Sequence, residues 1–428
     1  MRVTVEYYSV LPMATLPAAL IWIISLASIL CVLIRPRNVA EAWWACGGAA
    51  ILVFTTLIPF SQAGAAILKG VDVYLFLTGM MILSELAREE GVFDWIAEVA
   101  AVHAAGSPRR LFLLIYLAGT IVTAFLSNDA TAVVLTPAVL TIVRRLKVEP
   151  TPHLLACALI ANAASFVLPI SNPANLVVFG QHMPPLIKWL GVFLAPSLTA
   201  IIITFLALRY VSREGLQGKI GETLPKTRLS TEGRLALGGL IGAAAVLITA
   251  SALGWSLGAP TCGAALLAAL VVANRDSKIP VKVMKGVSWS VIPLVAGLFI
   301  IVEALQGAGM LRLAVAGLNA ASRLGHVTGN LVTAFSVGLL SNGMNNLPVG
   351  LISGTAVQSS PEHATLANAV LIGVDLGPNL SVTGSLATIL WLIALRREKV
   401  EITAWQFFKV GLIVMPLALL GSILSMEK

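Results

Sequence analysis

The sequence predicts an all-α polytopic membrane protein. It has ten transmembrane helices plus two re-entrant hairpins in two inverted-topology repeats, with the N- and C-termini outside. Three observations predict it. Apolar runs long enough to cross a bilayer recur along all 428 residues. Two of the longer apolar stretches carry a polar knot at their centre. The two halves of the chain repeat the same order of parts.

A membrane-crossing helix needs ~20 mostly apolar residues. In the first half the qualifying runs are 11–34, 42–60, 71–87, 152–180 and 187–210. In the second they are 235–254, 257–273, 286–306, 364–394 and 404–425. Hydrophobic residues make up 58% of the chain and charged ones 11%, with a mean hydropathy of +0.92. Soluble domains carry about 25% charged residues. The net charge of +8 comes from Lys and Arg between apolar runs, so it orients the protein in the membrane. No basic, aromatic-laced patch points to nucleic acid.

Leu111–Ile142 and Val327–Thr355 are apolar but broken by Ser127-Asn128-Asp129 and by Ser341-Asn342-Gly343-Met344-Asn345-Asn346. Each is too short for two spans of ~20 residues and a turn. Re-entrant hairpins fit, because irregular backbone at membrane depth is tolerated where protein or a water-filled cavity surrounds it. Two tightly packed short spans are the alternative. Under the ten-span reading, twenty-one Lys and Arg fall on one side and six on the other, which places both termini outside.

The charged stretch 212–234 is a cytoplasmic linker between a first repeat, 1–211, and a second, 235–428. Ser127-Asn128 corresponds to Ser341-Asn342. Glu85 followed by Gly91 corresponds to Glu303 followed by Gly309, and the break at Ser171-Asn172 to that at Gly384-Ser385. Each half crosses an odd number of times, so the second is inverted. Paired broken helices in inverted repeats are the mark of secondary transporters and point to the binding site.

The site candidates are therefore the knots and the helix breaks. In the first half they are Ser127, Asn128, Asp129, Thr131, Asn162, Ser171, Asn172 and Asn175. In the second they are Ser341, Asn342, Asn345, Asn346, Asp375, Asn379, Ser381, Thr383 and Ser385. Amides and hydroxyls offer both donors and acceptors, and half-helix ends add free backbone groups. This chemistry suits a small, neutral, polyhydroxylated solute. The lack of Arg or Lys at the knots argues against a di- or tricarboxylate. Asp129 and Asp375 are the proton-coupling candidates, since a carboxyl in a low-dielectric site takes up a proton reversibly. A fixed hydrogen bond is the alternative for either. Asp72, Glu85 and Glu303 lie nearer span ends and read as interfacial.

Cys31, Cys46, Cys157 and Cys262 are scattered, with no metal or redox spacing. His103, His153, His182, His326 and His363 fall at edges or in connections and read as surface. Trp43, Trp44, Trp189 and Trp405 sit at span ends as interfacial anchors. No cofactor is expected. The run from Leu11 is too long for a signal peptide and reads as the first span.

Phe125-Leu-Ser-Asn-Asp-Ala-Thr-Ala-Val-Val-Leu-Thr-Pro137 resembles the first signature of the ArsB arsenite efflux permeases. Asn345-Asn-Leu-Pro-Val349 resembles the second. Asp375-Leu-Gly-Pro-Asn379, followed by Thr383-Gly-Ser-Leu-Ala-Thr-Ile-Leu-Trp391, resembles a third. The resemblance covers nearly the whole chain. It implies export of arsenite and antimonite in exchange for protons, an inner-membrane location and an ArsA-type ATPase partner on the cytoplasmic side. The wider ion transporter superfamily has Ser-Asn-Thr at both hairpin tips. Here they read Ser-Asn-Asp and Ser-Asn-Gly, a departure from the sodium sites of sodium-coupled relatives. Arsenite is an uncharged trihydroxide at neutral pH, which agrees with an amide- and hydroxyl-lined site. A sodium/proton antiporter of the same superfamily is the alternative. No GxGD, HExxH or DDxxD pattern suggests an intramembrane enzyme.

Overall fold

The computed structural model describes residues 15–221, 228–276, 278–359 and 361–426. The start of the first expected span at 11–14, the basic residues Arg2, Lys226 and Lys428, and part of the linker lie outside the described residues. Among the described residues the chain is helical throughout, with no strand.

The first half runs α1 (Leu16–Ile34), α2 (Glu41–Phe54), short α3 (Phe60–Lys69), α4 (Val71–Glu89) and α5 (Val92–His103). It continues with α6 (Pro108–Phe125), α7 (Thr136–Arg145), α8 (Pro150–Ala163), α9 (Pro173–Phe179) and α10 (Leu186–Val211). The second half runs α11 (Thr231–Ala252), α12 (Gly258–Ala273), short α13 (Ile279–Gly286), α14 (Val291–Leu305) and α15 (Leu311–Ser322). It ends with α16 (His326–Met344), α17 (Asn346–Gln358), α18 (Ala367–Leu376), α19 (Leu386–Arg397) and α20 (Ala404–Met426). The order of long, short, paired and broken helices is the same in both halves. The short α3 and α13 are a matched pair that hydropathy alone does not separate from the spans beside them. Gly91 and Gly309, at the matching junctions before α5 and α15, both take positive φ (69° and 101°). That conformation costs glycine nothing and turns the amphipathic helix away from the span before it.

Among the described residues, six helical segments are long and apolar enough to cross a membrane by themselves, or seven counting the bent pair α3–α4 with its 47° break. Of the ten expected spans, 42–60 and 257–273 are represented by shorter helices, α2 and α12. The overlong 152–180 and 364–394 are each cut in two, as α8/α9 and α18/α19. The paired segments differ from expectation in proportion. The first arms, α6 and α16, have 18 and 19 residues, about 27 Å at 1.5 Å per residue. The second arms, α7 and α17, have 10 and 13. A π-helical stretch, Ala130–Leu135, precedes α7.

Packing separates the helices into two bodies, each drawing equally on both halves. In one, α1–α4 pack with α11–α14, chiefly α4 on α12 and α2 on α14. In the other, α6–α10 pack with α16–α20, chiefly α10 on α20, α16 on α18 and α6 on α8. Asp72 Oδ1 accepts the backbone N–H of Gly258 at 2.8 Å, tying α4 to the start of α12. Ser422 of α20 donates to the carbonyl of Pro196 in α10 at 3.1 Å. Contacts between the bodies are sparser, with α4 meeting α9 and α14 meeting α17.

Candidate functional site

Each break ends in a capped half-helix. Asn172 precedes Pro173, and its side chain accepts the N–H of Ala174 at 3.0 Å, starting α9. A proline at the first helical position gives up an N–H that would be unpaired anyway. Ser385 accepts the N–H of Thr388 at 3.2 Å and starts α19. At the knots, Ser127 accepts from Ala130 N (3.1 Å) and Asn128 from Asp129 N (2.9 Å). Asn345, at φ 73°, accepts from Leu347 N at 3.3 Å and starts α17. Four interruptions of the helices thus each begin a new helical segment.

These starts converge. Asn128, Asp129, Asn172, Asn346 and Ser385 line one small pocket of about 20 Å³, together with Pro173 and the first residues of α19. It is the inner end of a larger cavity of about 370 Å³. Ser127 and Asp129 stand at the deep end of that cavity. Met80, Ser84 and Glu85 of α4 line one wall and Leu390 of α19 another, and Arg88, Arg397 and Glu398 stand at its mouth. Glu85, 7% exposed, accepts from Arg88 Nε and Nη2 at 2.9 and 2.6 Å. It is therefore a wall of the cavity rather than an interfacial residue alone. Asp129 is half-buried, and its carboxyl receives no hydrogen bond or ion pair from the described residues.

The other candidates face protein rather than cavity. Asn172 Nδ2 donates to Asp375 Oδ1 at 2.7 Å, joining the two broken helices, and Asp375 Oδ2 has no partner. Asn162 donates to Asn379 Oδ1 at 3.0 Å, and Asn379 donates to the Leu159 carbonyl at 3.1 Å. Asn342 donates to the carbonyls of Gly338 (2.8 Å) and Gly377 (2.9 Å) and accepts from Ser381 at 2.6 Å. Thr383 donates to the Asn342 carbonyl at 2.9 Å. Asn342, Ser381 and Thr383 thus bind the α16 end to the break after α18. Ser341 donates to its own helix at Val337. In the first half, Thr131 bonds Thr123 at 2.8 Å across the paired segment, and Ser171 donates to the Ala124 carbonyl at 2.9 Å. Asn175 donates to three carbonyls in the break, those of Ser165, Leu168 and Pro169.

On the far side of the small pocket α17 lies along α9. Gly350 and Gly354 face Val178, and Gln358 Nε2 donates to the last α9 carbonyls, Val178 (3.0 Å) and Phe179 (3.2 Å). Gln306 donates to Thr355 Oγ1 at 3.1 Å, linking α17 to the end of α14. In the last turn of α14, Glu303 pairs with Lys69 at 2.8 Å.

Three aromatic and imidazole expectations are corrected. Trp189 is fully buried, and its indole N–H donates to the Phe166 carbonyl in the α8–α9 break at 3.1 Å. Trp43 and Trp405 are exposed as expected of anchors. His153 is buried against Phe112, and His363 is buried with Nε2 2.7 Å from Asn319 Oδ1. A span end or connection in sequence is not a surface when another helix covers it.

Residues 19–374 match the CitMHS family, described as citrate transporter. The chain belongs to this family. It is 28% identical over 400 residues to an arsenical pump membrane protein of Escherichia coli, covering 90% of this chain and 93% of that one. To the arsenical pump membrane protein of Yersinia enterocolitica it is 26% identical over 394 residues (89% and 91%). To an uncharacterized transporter of Mycobacterium tuberculosis it is 28% identical over 410 residues (90% and 92%). Its fold is similar to the crystal structure of the YdaH transporter of Alcanivorax borkumensis. The TM-score is 0.55 at 14% identity, over 96% of this chain and 98% of that one. This CitMHS-family chain is a multi-pass membrane transporter. The ArsB resemblance of its motifs is matched by relatives that carry that name.

Proposed function

We propose that this CitMHS-family protein exports arsenite, and antimonite with it, across the inner membrane in exchange for protons. The observation that carries the reading is the small pocket where Asn128, Asp129, Asn172, Asn346 and Ser385 meet. It offers amides, a hydroxyl and one carboxyl, and no cation. At about 20 Å³ it holds one or two water-sized groups, since a water alone needs ~10–15 Å³, and the larger cavity of about 370 Å³ that it opens into takes the rest of a small solute. An uncharged trihydroxide meets both conditions. Citrate, the substrate in the family description, is a bulky trianion with no cation to meet it there. The half-helix starts aimed at the pocket favour partial negative charge on the solute's oxygens.

Exchange follows from competition for one carboxyl. A hydroxyl of arsenite donates to ionised Asp129 when the cavity faces the cytoplasm. On the outer side a proton takes the same oxygen as arsenite leaves. The protonated carboxyl returns and releases its proton inside. Asp375, locked to Asn172 away from the cavity, positions the break rather than carrying the proton. The two bodies supply the motion: α6–α10 with α16–α20 carry the site past α1–α4 with α11–α14, by alternating access between inverted repeats. Basic residues at both outer ends of the first pair, Arg109 and Arg110 on α6 and Arg144 and Arg145 on α7, support a hairpin that returns to the cytoplasmic side. An ArsA-type ATPase is a candidate partner on that side.

The test is arsenite uptake into inverted vesicles without ATP under an interior-acid gradient. The parent is expected to accumulate arsenite only with the gradient. Asp129→Asn is expected to lose that accumulation, and Asp375→Asn to keep gradient dependence at a lower rate. Uptake indifferent to the gradient removes proton exchange. Citrate uptake without arsenite uptake returns the substrate to the family description. Gradient-driven Na⁺ movement without either favours a sodium/proton antiporter.

A further inference from the structure

A second cavity, of about 330 Å³, lies between α15 and the α16–α17 pair, on the opposite side of that pair from the substrate pocket. Its lining is apolar except for a few hydroxyls. Along one face of α15 stand Ala314, Gly317 and Ala321, and a Cβ built on Gly317 meets nothing within 4 Å. Small residues on a membrane helix normally let a neighbour approach closely. Here α15 approaches α16 closely where Ala321 meets Gly329, while the space around Gly317 stays open. Leu313, Val332 and Leu340 line the cavity and are 48%, 40% and 52% exposed. In a bilayer those surfaces face lipid, so the cavity opens sideways into the hydrocarbon. Thr333, 3% exposed, also lines it, and its hydroxyl has no hydrogen-bond partner. A buried orphan hydroxyl is costly. From Thr333 the cavity runs about 16 Å along α16 to Met344, next to the tip residue Asn345.

We propose that this cavity is a binding site for one acyl chain of a membrane phospholipid, with the Thr333 hydroxyl donating to the lipid's ester carbonyl. The chain braces the α16–α17 tip from behind. An apolar hole of this size with a lateral opening to lipid has lipid as its ready occupant, and the orphan donor at its shallow end is what a bare hydrocarbon would leave unpaired.

The experiment uses the full-length protein in vesicles of phosphatidylethanolamine and phosphatidylglycerol. A fraction of the lipid carries a diazirine midway along one acyl chain. Irradiation is expected to give adducts on inward-lining residues such as Gly317, Thr333 and Ile352, beside those on the lipid-facing side of α1. Gly317→Leu and, independently, Ala314→Phe fill the cavity. Each is expected to reduce the inner adducts severalfold and leave the α1 adducts unchanged. In detergent, added phospholipid is expected to raise the thermal stability of the parent by mass action. The filled variants are expected to start higher and gain less. Adducts confined to outward residues, or inner adducts unchanged in both filled variants, overturn the proposal. Should a variant fail to fold, the adduct map of the parent decides alone.

Discussion

The seam between α17 and α9 gives two glycine substitutions of the same size with unequal outcomes. A Cβ on Gly350 comes 3.3 Å from Val178 Cγ2, a side-chain atom that can rotate aside. A Cβ on Gly354 comes 2.5 Å from the Val178 carbonyl oxygen and 2.9 Å from its Cα. Both are backbone, so no rotamer change relieves them. To reach even 3.0 Å, α17 must back away from α9 by about half an ångström, carrying Asn346 away from Asn172 across a pocket of only about 20 Å³. Overpacking of this kind costs about 1–3 kcal/mol, or roughly 5- to 150-fold in the population of the assembled site. Initial rates of arsenite uptake into inverted vesicles measure it, with thermal stability of the purified variants as the control for folding. Gly354→Ala is expected to lose at least about fivefold in rate, and Gly350→Ala less than about threefold. Parental rates in Gly354→Ala, or equal losses in both, would refute the close packing of this seam as a determinant of the pocket.

Other positions make separate predictions. Asn342→Asp replaces a donor by an acceptor against the carbonyls of Gly338 and Gly377. It is expected to be less stable than Asn342→Ala, by thermal melting in detergent, because unpaired buried acceptors cost about 1–3 kcal/mol each and a charge more. Trp189→Phe keeps the ring but orphans the Phe166 carbonyl, with an expected loss of about 1–3 kcal/mol on the same assay. At Glu90, burial pushes the carboxyl up, and the charges of Glu232, Asp276 and Glu89 add to this against Lys282. The folded protein thus holds that proton more tightly than the unfolded chain, so Glu90 costs stability as pH rises through and above the ordinary carboxylate range. Glu90→Gln is expected to melt higher than the parent at neutral pH and equally near pH ~4. A constant difference across pH would assign the effect to something other than titration.

Hydropathy made the order of helices legible, because an interrupted apolar run needs polar residues wherever the backbone leaves the helix. It also brought Asn128, Asp129, Asn172, Asn346 and Ser385 into one candidate set. What it could not do is sort that set. Asn379 and Asn172 look alike in sequence. One is consumed by Asn162 and a carbonyl, while the other caps a half-helix at the pocket and holds Asp375. Asn342 and Thr383 satisfy each other's neighbourhood in the same way. A polar group at membrane depth must find a partner, and sequence does not say whether the partner is protein or solute. Trp189, His153 and His363 were misread for the related reason that burial depends on which helix lies across them. Glu85 sits near a helix end, and only the placement of α19 opposite it makes it a cavity wall.

The contact between Asn162 and Asn379 ties the last turn of α8, in one half of the chain, to the break after α18, in the other. Few side-chain pairs can meet there without conflict: two carboxylates or two ammoniums repel, while two amides each bring a donor and an acceptor. Asn379 also donates to the Leu159 carbonyl one turn back along α8. The two breaks are thus clasped by a pair of hydrogen bonds, and neither can slide past the other without giving up both.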